Sequence, residues 1–258
     1  MVDLHTHTNH SDGSQTTVEL LAEAEEKGIK YLSITDHDTL KAYEDVDAVN
    51  LKDYYTGELI TGMEITTTCN GELAEVLAYN FDCDILRKKI EEHNLYISYE
   101  ERYKRRFPIL KREYTERGIH FDFNVYYNTG NINHLTIYKE IVRHDQNDKF
   151  FLDINNKNAY NLFFRRELYN PESEFYIDQT ELYPKLETVL KIIRESRGLA
   201  FLAHPYIYTN NIVGDLENIL TNYPFDGIEC FHTAITKEQS EYLLKIAEKF
   251  DIYVSGGS

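Results

Sequence analysis

Val2-Asp3-Leu4-His5-Thr6-His7 opens the chain as a short apolar strand running into two histidines, and Tyr31-Leu32-Ser33-Ile34-Thr35 repeats the pattern, running into Asp36-His37-Asp38. Between them a helix is expected from Thr17 to Lys27. Thr16 is its N-cap with Glu19 three residues on, and Gly28 stops it. A polar helix from Leu40 to Leu51 follows, then strands over Leu59–Glu64 and Glu72–Tyr79. The same alternation returns near the other end. It reads as a helix over Leu182–Ser196, a strand over Leu199–Ala203, a helix over Leu216–Asn222 and a strand over Gly227–Phe231. Thr236 with Gln239 then caps a helix to Lys249, and Ile252–Ser255 is the last strand. Strands separated by helical patterns predict a parallel sheet or barrel.

The middle differs. Asp84 to Arg117 looks helical, with a break at Pro108. From Gly118 to Tyr176 the chain is rich in Asn, Tyr and Phe, with helices expected over Ile137–His144 and Asn158–Arg166. The expectation is an α/β barrel body from residues 1–83 and 182–258, with residues 84–181 as a helical insertion.

Composition narrows the function. The 258 residues carry 27 Lys plus Arg against 44 Asp plus Glu, a net charge of −17. That excess disfavours long nucleic acid and anionic membrane, because affinity for phosphate chains is mostly electrostatic. A small phosphorylated substrate stays open, since bound cations can reverse the local field. No apolar run approaches the roughly 20 residues that span a bilayer. No basic-then-apolar secretory signal opens the chain. Cys69, Cys83 and Cys230 form no C-x-x-C pair and no even framework. They predict a reducing, cytoplasmic setting. Oligomeric state is not legible.

In parallel α/β barrels the chemistry sits at the C-terminal ends of strands. Those ends here carry His5 and His7, then His37, then Glu64, then His204, with Asp12 in the loop after the first strand. His5 and His7, two apart on a strand, share one side of the chain. Two imidazoles on one face suit a divalent Zn, Mn, Fe or Ni ion. Each piece alone has a plainer explanation. Ser11-Asp12-Gly13 makes a good turn, and Asp38 or Thr39 caps the next helix equally well. A lone His204 after a buried strand is more often structural. Their recurrence at equivalent places points to one metal site.

Together these segments resemble the polymerase-and-histidinol-phosphatase (PHP) family of metal-dependent phosphoesterases. The likeness rests on Asp3-Leu4-His5-Thr6-His7-Thr8, Ser11-Asp12-Gly13, Ile34-Thr35-Asp36-His37-Asp38-Thr39, Gly62-Met63-Glu64, Ala203-His204-Pro205 and Gly227-Ile228-Glu229. It implies a distorted (β/α)7 TIM-like barrel holding two or three divalent ions, Mn, Zn or Fe, with the insertion capping the site. By position, His5, His7 and Glu64 would hold the first ion. Glu64 would bridge to a second, shared with His204, and Asp12 and His37 would hold a third. The implied reaction is phosphoester hydrolysis by a metal-bound hydroxide, with no side-chain nucleophile. The branch it resembles acts on nucleotides or short oligonucleotides.

Three positions depart from the family pattern. Eleven residues after Glu64, where the family has a histidine, this chain has Glu75, a carboxylate that can still ligate. Ile235 stands where members often place a histidine near substrate, with His232 three residues earlier. The sequence closes on Ser255-Gly256-Gly257-Ser258, which in the family leads into Asp-x-His. The resemblance therefore implies a truncated barrel end, lower metal affinity, and a weak or inactive enzyme from these residues alone.

Between Arg87 and Arg117 ten Lys or Arg face six Glu. Arg105 and Arg106, with Arg165 and Arg166 further on, are the candidates for holding a substrate phosphate, where bidentate geometry favours Arg. The plainer explanation is a solvated helix with pairs such as Glu101 with Arg105 and Glu113 with Arg117. Two rival functions remain: a PHP module that has lost catalysis and serves as a binding scaffold, and a histidinol-phosphate phosphatase. Metal stoichiometry separates the first from an enzyme, and a substrate panel separates the second.

Overall fold

In the computed structural model, which describes residues 1–93, 95, 99–129, 133–207 and 210–257, seven strands lie side by side in chain order. They are β1 (Val2–Thr6), β2 (Tyr31–Ile34), β3 (Glu58–Cys69), β4 (Glu72–Tyr79), β5 (Leu199–Leu202), β6 (Gly227–Phe231) and β7 (Tyr253–Gly256). Pairing is parallel from β1 through β3 and from β5 through β7. The sheet curls into a nearly closed barrel. Gly257, just past β7, lies so close to His5 on β1 that a side chain at 257 would collide with it.

One strand overturns the all-parallel expectation. β4 runs antiparallel to both β3 and β5. The cause is local. β3 runs five residues past Glu64, to Cys69, and turns through Asn70 and Gly71, both at positive φ. Asn-Gly with two left-handed residues is the two-residue turn whose twist suits a hairpin. Register follows: Thr66 faces Glu75 and Glu64 faces Leu77. Because β4 is reversed, its N-terminal half lies beside the C-terminal half of β3. That carries Glu75 to the end of the barrel where Glu64 sits.

The core has two layers in this unit. Leu32, Ile34, Val76, Ala78, Leu202 and Ile228 on the strands pack with the helices, among them Leu186–Glu195 through Val189, Leu190, Ile192 and Ile193. The other faces of β4 and β5 supply a smaller cluster, Leu77, Tyr79, Phe201 and Ala203. Two capping boxes form as their sequences predict, Thr16 with Glu19 and Thr236 with Gln239. Of the two capping candidates, Thr39 meets the following helix, Lys41–Ala48: its hydroxyl accepts from Lys41 N–H at 3.3 Å, while Leu40 occupies the N-cap position. Asp38 is instead held at φ 52° and accepts from the backbone N–H (3.0 Å) and hydroxyl (2.9 Å) of Thr66 on β3.

By its internal packing the chain divides into two units, Met1–Tyr96 with Tyr183–Ser258, and Ile97–Leu182. Residue 84, the expected start of the insertion, falls in the helix Cys83–Glu92, whose Leu86 and Ile90 join the barrel-side core. The second unit has its own core of Phe107, Leu110, Tyr114, Ile137, Ile141, Phe163 and Phe175. Its helix Tyr99–Arg117 runs straight through Pro108, where a break was expected. Proline in a helix interior costs about 3 kcal/mol. Phe107, Leu110 and Tyr114, buried on both sides of it, offset that by packing into one core. The helix expected over Ile137–His144 spans His134–Val142, because Asn133 caps it by accepting from Thr136 N–H. Asn158–Arg166 is a single turn, Tyr160–Phe163, continued by a π-turn over Phe164–Leu168. The buried carboxylate of Glu167 holds that turn. It accepts from Leu152 N–H (3.0 Å), Asn156 Nδ2 (2.6 Å) and the Ser173 hydroxyl (2.6 Å). Among the described residues no helix is long and apolar enough to cross a membrane.

Candidate metal centre

Glu64 is fully buried, and four imidazoles surround it. One carboxylate oxygen, Oε1, lies 2.8 Å from Nε2 of His204. The other, Oε2, lies 3.1 Å from Nε2 of His5, 3.3 Å from Nε2 of His7 and 3.3 Å from Nδ1 of His37. The two oxygens thus serve two sides of one cluster. His5 reaches it from β1, His7 from just past β1, His37 from the loop after β2, and His204 from the loop after β5.

The loops are pinned from beneath. Asp36 accepts from Thr8 N–H (2.7 Å), the Thr8 hydroxyl (2.6 Å) and the Ser11 hydroxyl (2.5 Å), tying the first loop to the second. Asp38 ties the second to β3 as described. His37, between them, forms a bridge with Glu64. Gly13 is needed here because a side chain would strike the carbonyl of His7. The turn it allows sets Asp12 at the solvent side of the cluster. Its carboxylate lies 3.6 Å from Nδ1 of His7 and 3.7 Å from Nε2 of His37.

Glu75 joins from the hairpin. Its carboxylate is 3.6 Å from Nδ1 of His37 and 3.6 Å from Nε2 of His204. Burial, with the nearby charge of Glu64, pushes its pKa up. All seven residues singled out in the sequence therefore meet in one place. Arg105, Arg106, Arg165 and Arg166 belong to the second unit. Arg106 is buried, and the other three are exposed. Arg117 pairs with Glu113 at 2.9 Å as expected, but it also donates to the carbonyls of Glu174 (2.7 Å) and Tyr176 (2.6 Å), so it is a half-buried tie and not a solvated face. The side chain of Glu101 lies outside the described ones.

Two neighbours were not singled out. Glu229, at zero exposure, accepts from Nδ1 of His5 at 2.9 Å and from the backbone N–H of His204 at 2.9 Å. The signal was present in Gly227-Ile228-Glu229, a carboxylate inside an otherwise apolar strand. The ring of His232 lies, tilted, 5.1 Å from that of His204 and 5.5 Å from that of His5. Its Nδ1 accepts from Ala234 N–H, and burial pushes its pKa down to about 4.

The electrostatics favour a cation. Burial alone would depress His5, but Glu64 and Glu229 reverse that and raise it to about 11. Burial opposes protonation of His37 too, and Glu64, Glu75 and Asp12 lift it to about 9. His7 is driven down by burial and by His37 beside it. Burial works against ionising Glu64, yet His37 and His5 hold its pKa well below the usual range. Positive charge is thus wanted at the centre of the cluster, and the imidazoles compete to carry it. Buried Nδ1 of His7 also lacks a hydrogen-bond partner. A nitrogen and carboxylate donor set of this kind suits a divalent transition metal. Four three-residue groups have donors within 4.8 Å of one another: His5–His7–Glu64, His37–Glu64–Glu75, His7–Asp12–His37 and His5–His204–Glu229.

Residues 3–251 match a family model described as the PHP domain. A "5'-3' exoribonuclease" of Haemophilus influenzae is 26% identical over 99% of this chain and 88% of its own length. A second, "5'-3' exoribonuclease Rnm" of Escherichia coli, is 33% identical over a stretch of 98 residues, 36% of this chain and 33% of that protein. Two solved structures share the fold. One, from Bifidobacterium adolescentis, is named a candidate metal-dependent phosphoesterase. It has a TM-score of 0.68 and 21% identity, over 99% of this chain and 86% of its own. The other is an amidohydrolase from Chromobacterium violaceum, with a TM-score of 0.69 and 20% identity, over 100% of this chain and 86% of its own.

Proposed function

The chain belongs to the PHP domain family and is a metal-dependent phosphoric ester hydrolase, and from that premise we propose that it cleaves phosphoester bonds of nucleotides or at the end of a short oligonucleotide. One observation carries the reading: the buried Glu64 carboxylate with four imidazole nitrogens within 3.3 Å. The exoribonuclease name of a relative matched over 99% of this chain supports a nucleotide chain as substrate. The net charge of −17 restricts it to short ones.

In this proposal His5, His7, His37, His204, Glu64, Glu75 and Asp12 hold two or three divalent ions, of which Mn, Zn and Fe suit the donors. Such ions supply a water activated near neutral pH and positive charge for the attacking and leaving oxygens. The chain's own residues set the geometry. Glu229 accepts a hydrogen bond from Nδ1–H of His5, which holds Nε2 toward Glu64. Glu64 offers one oxygen to each side of the cluster. Asp12, exposed at the outer edge, meets the solvent from which substrate arrives. Met1–Tyr96 with Tyr183–Ser258 form the chemical domain of this proposal, and arginines of Ile97–Leu182 are its candidates for holding substrate phosphate.

The test is a panel of nucleoside monophosphates, short RNA and DNA oligomers and histidinol phosphate, assayed with Mn, Zn or Fe and with chelator. Metal-dependent release of nucleotides or phosphate from the nucleic-acid set is the expected result. Turnover of histidinol phosphate alone would replace the substrate assignment. Binding without turnover under every metal would leave a scaffold module.

A further inference from the structure

We propose that the insertion unit carries a phosphate-binding site of its own, anchored by the Nε–Nη2 edge of Arg106. Arg106 sits on the helix Tyr99–Arg117 and is 3% exposed. Its Nε and Nη2 are buried and have no hydrogen-bond partner. These two nitrogens lie on the same side of the guanidinium, where their N–H bonds run parallel. They form the fork that matches two oxygens of one phosphate or carboxylate. Both nitrogens of that edge lack a partner, not one stray atom.

A guanidinium cannot shed its proton to escape burial. Burying it without an anion costs several kcal/mol. Among the described residues of the second unit, the two buried glutamates are committed elsewhere. Glu140 pairs with Arg143 at 2.8 Å and accepts from Asp122 N–H. Glu167 accepts from Leu152, Asn156 and Ser173. One turn before Arg106, Arg102 brings a second buried guanidinium to the same face of the helix. The structure thus keeps a cationic fork in a dry place, and its missing partner is an oxyanion supplied from outside the chain.

This site needs no metal ion, so chelator separates its chemistry from that of the metal centre. The full chain in EDTA is titrated with inorganic phosphate and, in parallel, with adenosine monophosphate, while thermal unfolding and calorimetric binding are followed. Chloride at matched ionic strength controls for screening. Wild type is expected to gain several degrees with phosphate. Arg106→Met removes the buried charge at similar volume. It is expected to unfold no lower than wild type without phosphate, and to lose the phosphate response. Arg106→Lys keeps the charge but not the fork, and is expected to weaken phosphate binding roughly tenfold to a hundredfold. Binding of inorganic phosphate alone marks a free-anion site. Tighter Arg106-dependent binding of the nucleotide marks a site for a phosphate carried by substrate. A wild-type midpoint unmoved by both ligands, or an equal response in Arg106→Met, overturns the proposal. Neither result depends on metal-supported turnover, so loss of this site and loss of the hydrolase reading are told apart.

Discussion

Nδ1 of His5 lies 2.9 Å from Oε1 of Glu229, while the other oxygen of the same carboxylate holds the backbone N–H of His204 at 2.9 Å. One buried side chain on β6 thus fixes the ring of one histidine and the main chain of another, both of which face Glu64.

Glu229→Gln is the sharpest probe of that relationship. Glutamine accepts with one end only, so either His5 or the His204 amide loses its partner. Metal affinity is expected to fall about 10–100-fold, the usual effect of an outer carboxylate on a ligating histidine. Calorimetric metal titration measures it, with circular dichroism confirming the fold. An unchanged affinity would make Glu229 a packing residue.

Glu64→Gln goes further. It removes the one charge that all four imidazoles share. Activity should drop by more than the roughly 100-fold that outer partners cost, and the number of bound ions per chain should fall. Elemental analysis of the purified variant reads the metal content directly, and retention of a full complement would contradict the proposed bridging role.

The cluster also predicts a pH signature. His5 and His37 have raised pKa values, so in chelated protein their stabilisation is complete below the ordinary histidine value of about 6.5. It is lost as pH climbs through about 9 for His37 and about 11 for His5. Divalent ions displace those same protons. The thermal midpoint in chelator should therefore fall between about pH 7 and about pH 9.5, whereas the metal-loaded midpoint should not. Adding metal at constant pH should release protons into a weak buffer. A chelated midpoint that rises over that interval would refute the assignment.

In the second unit, Glu167→Ala strips the acceptor from Leu152 N–H, Asn156 and Ser173 at once. Leaving those donors buried and unpaired should destabilise the unit by about 3–5 kcal/mol. Hydrogen exchange would show protection lost within Ile97–Leu182 and kept in the strands. Uniform loss across both units would mean that they unfold together.

The strand ends were readable because histidine after an apolar run is conspicuous, and His5, His7, His37 and His204 do surround Glu64. The capping boxes at Thr16 and Thr236 were readable because they are local. The reversed β4 was missed although Asn70-Gly71 announces a hairpin, because the alternation on either side suggested parallel strands. Pro108 misled for a related reason: its local penalty is real, but the packing of Phe107, Leu110 and Tyr114 is set by residues far away in sequence. Glu229 reads as an ordinary strand residue until β6 is laid beside His204 and the chain past it beside His5. Its role depends on a contact across 224 positions.

The barrel's order of strands has a last consequence. Glu64 and Glu75 are neighbours through a tight hairpin, so their half of the cluster forms from a short stretch of chain. His5 meets Glu229, and His204 meets Glu64, only after 224 and 140 positions have been spanned. An ion held by both halves therefore works as a buckle, fastening the two ends of a strip that would otherwise meet only at its rim. Its removal should be felt as faster opening of the seam between β7 and β1, where Gly257 lies against His5.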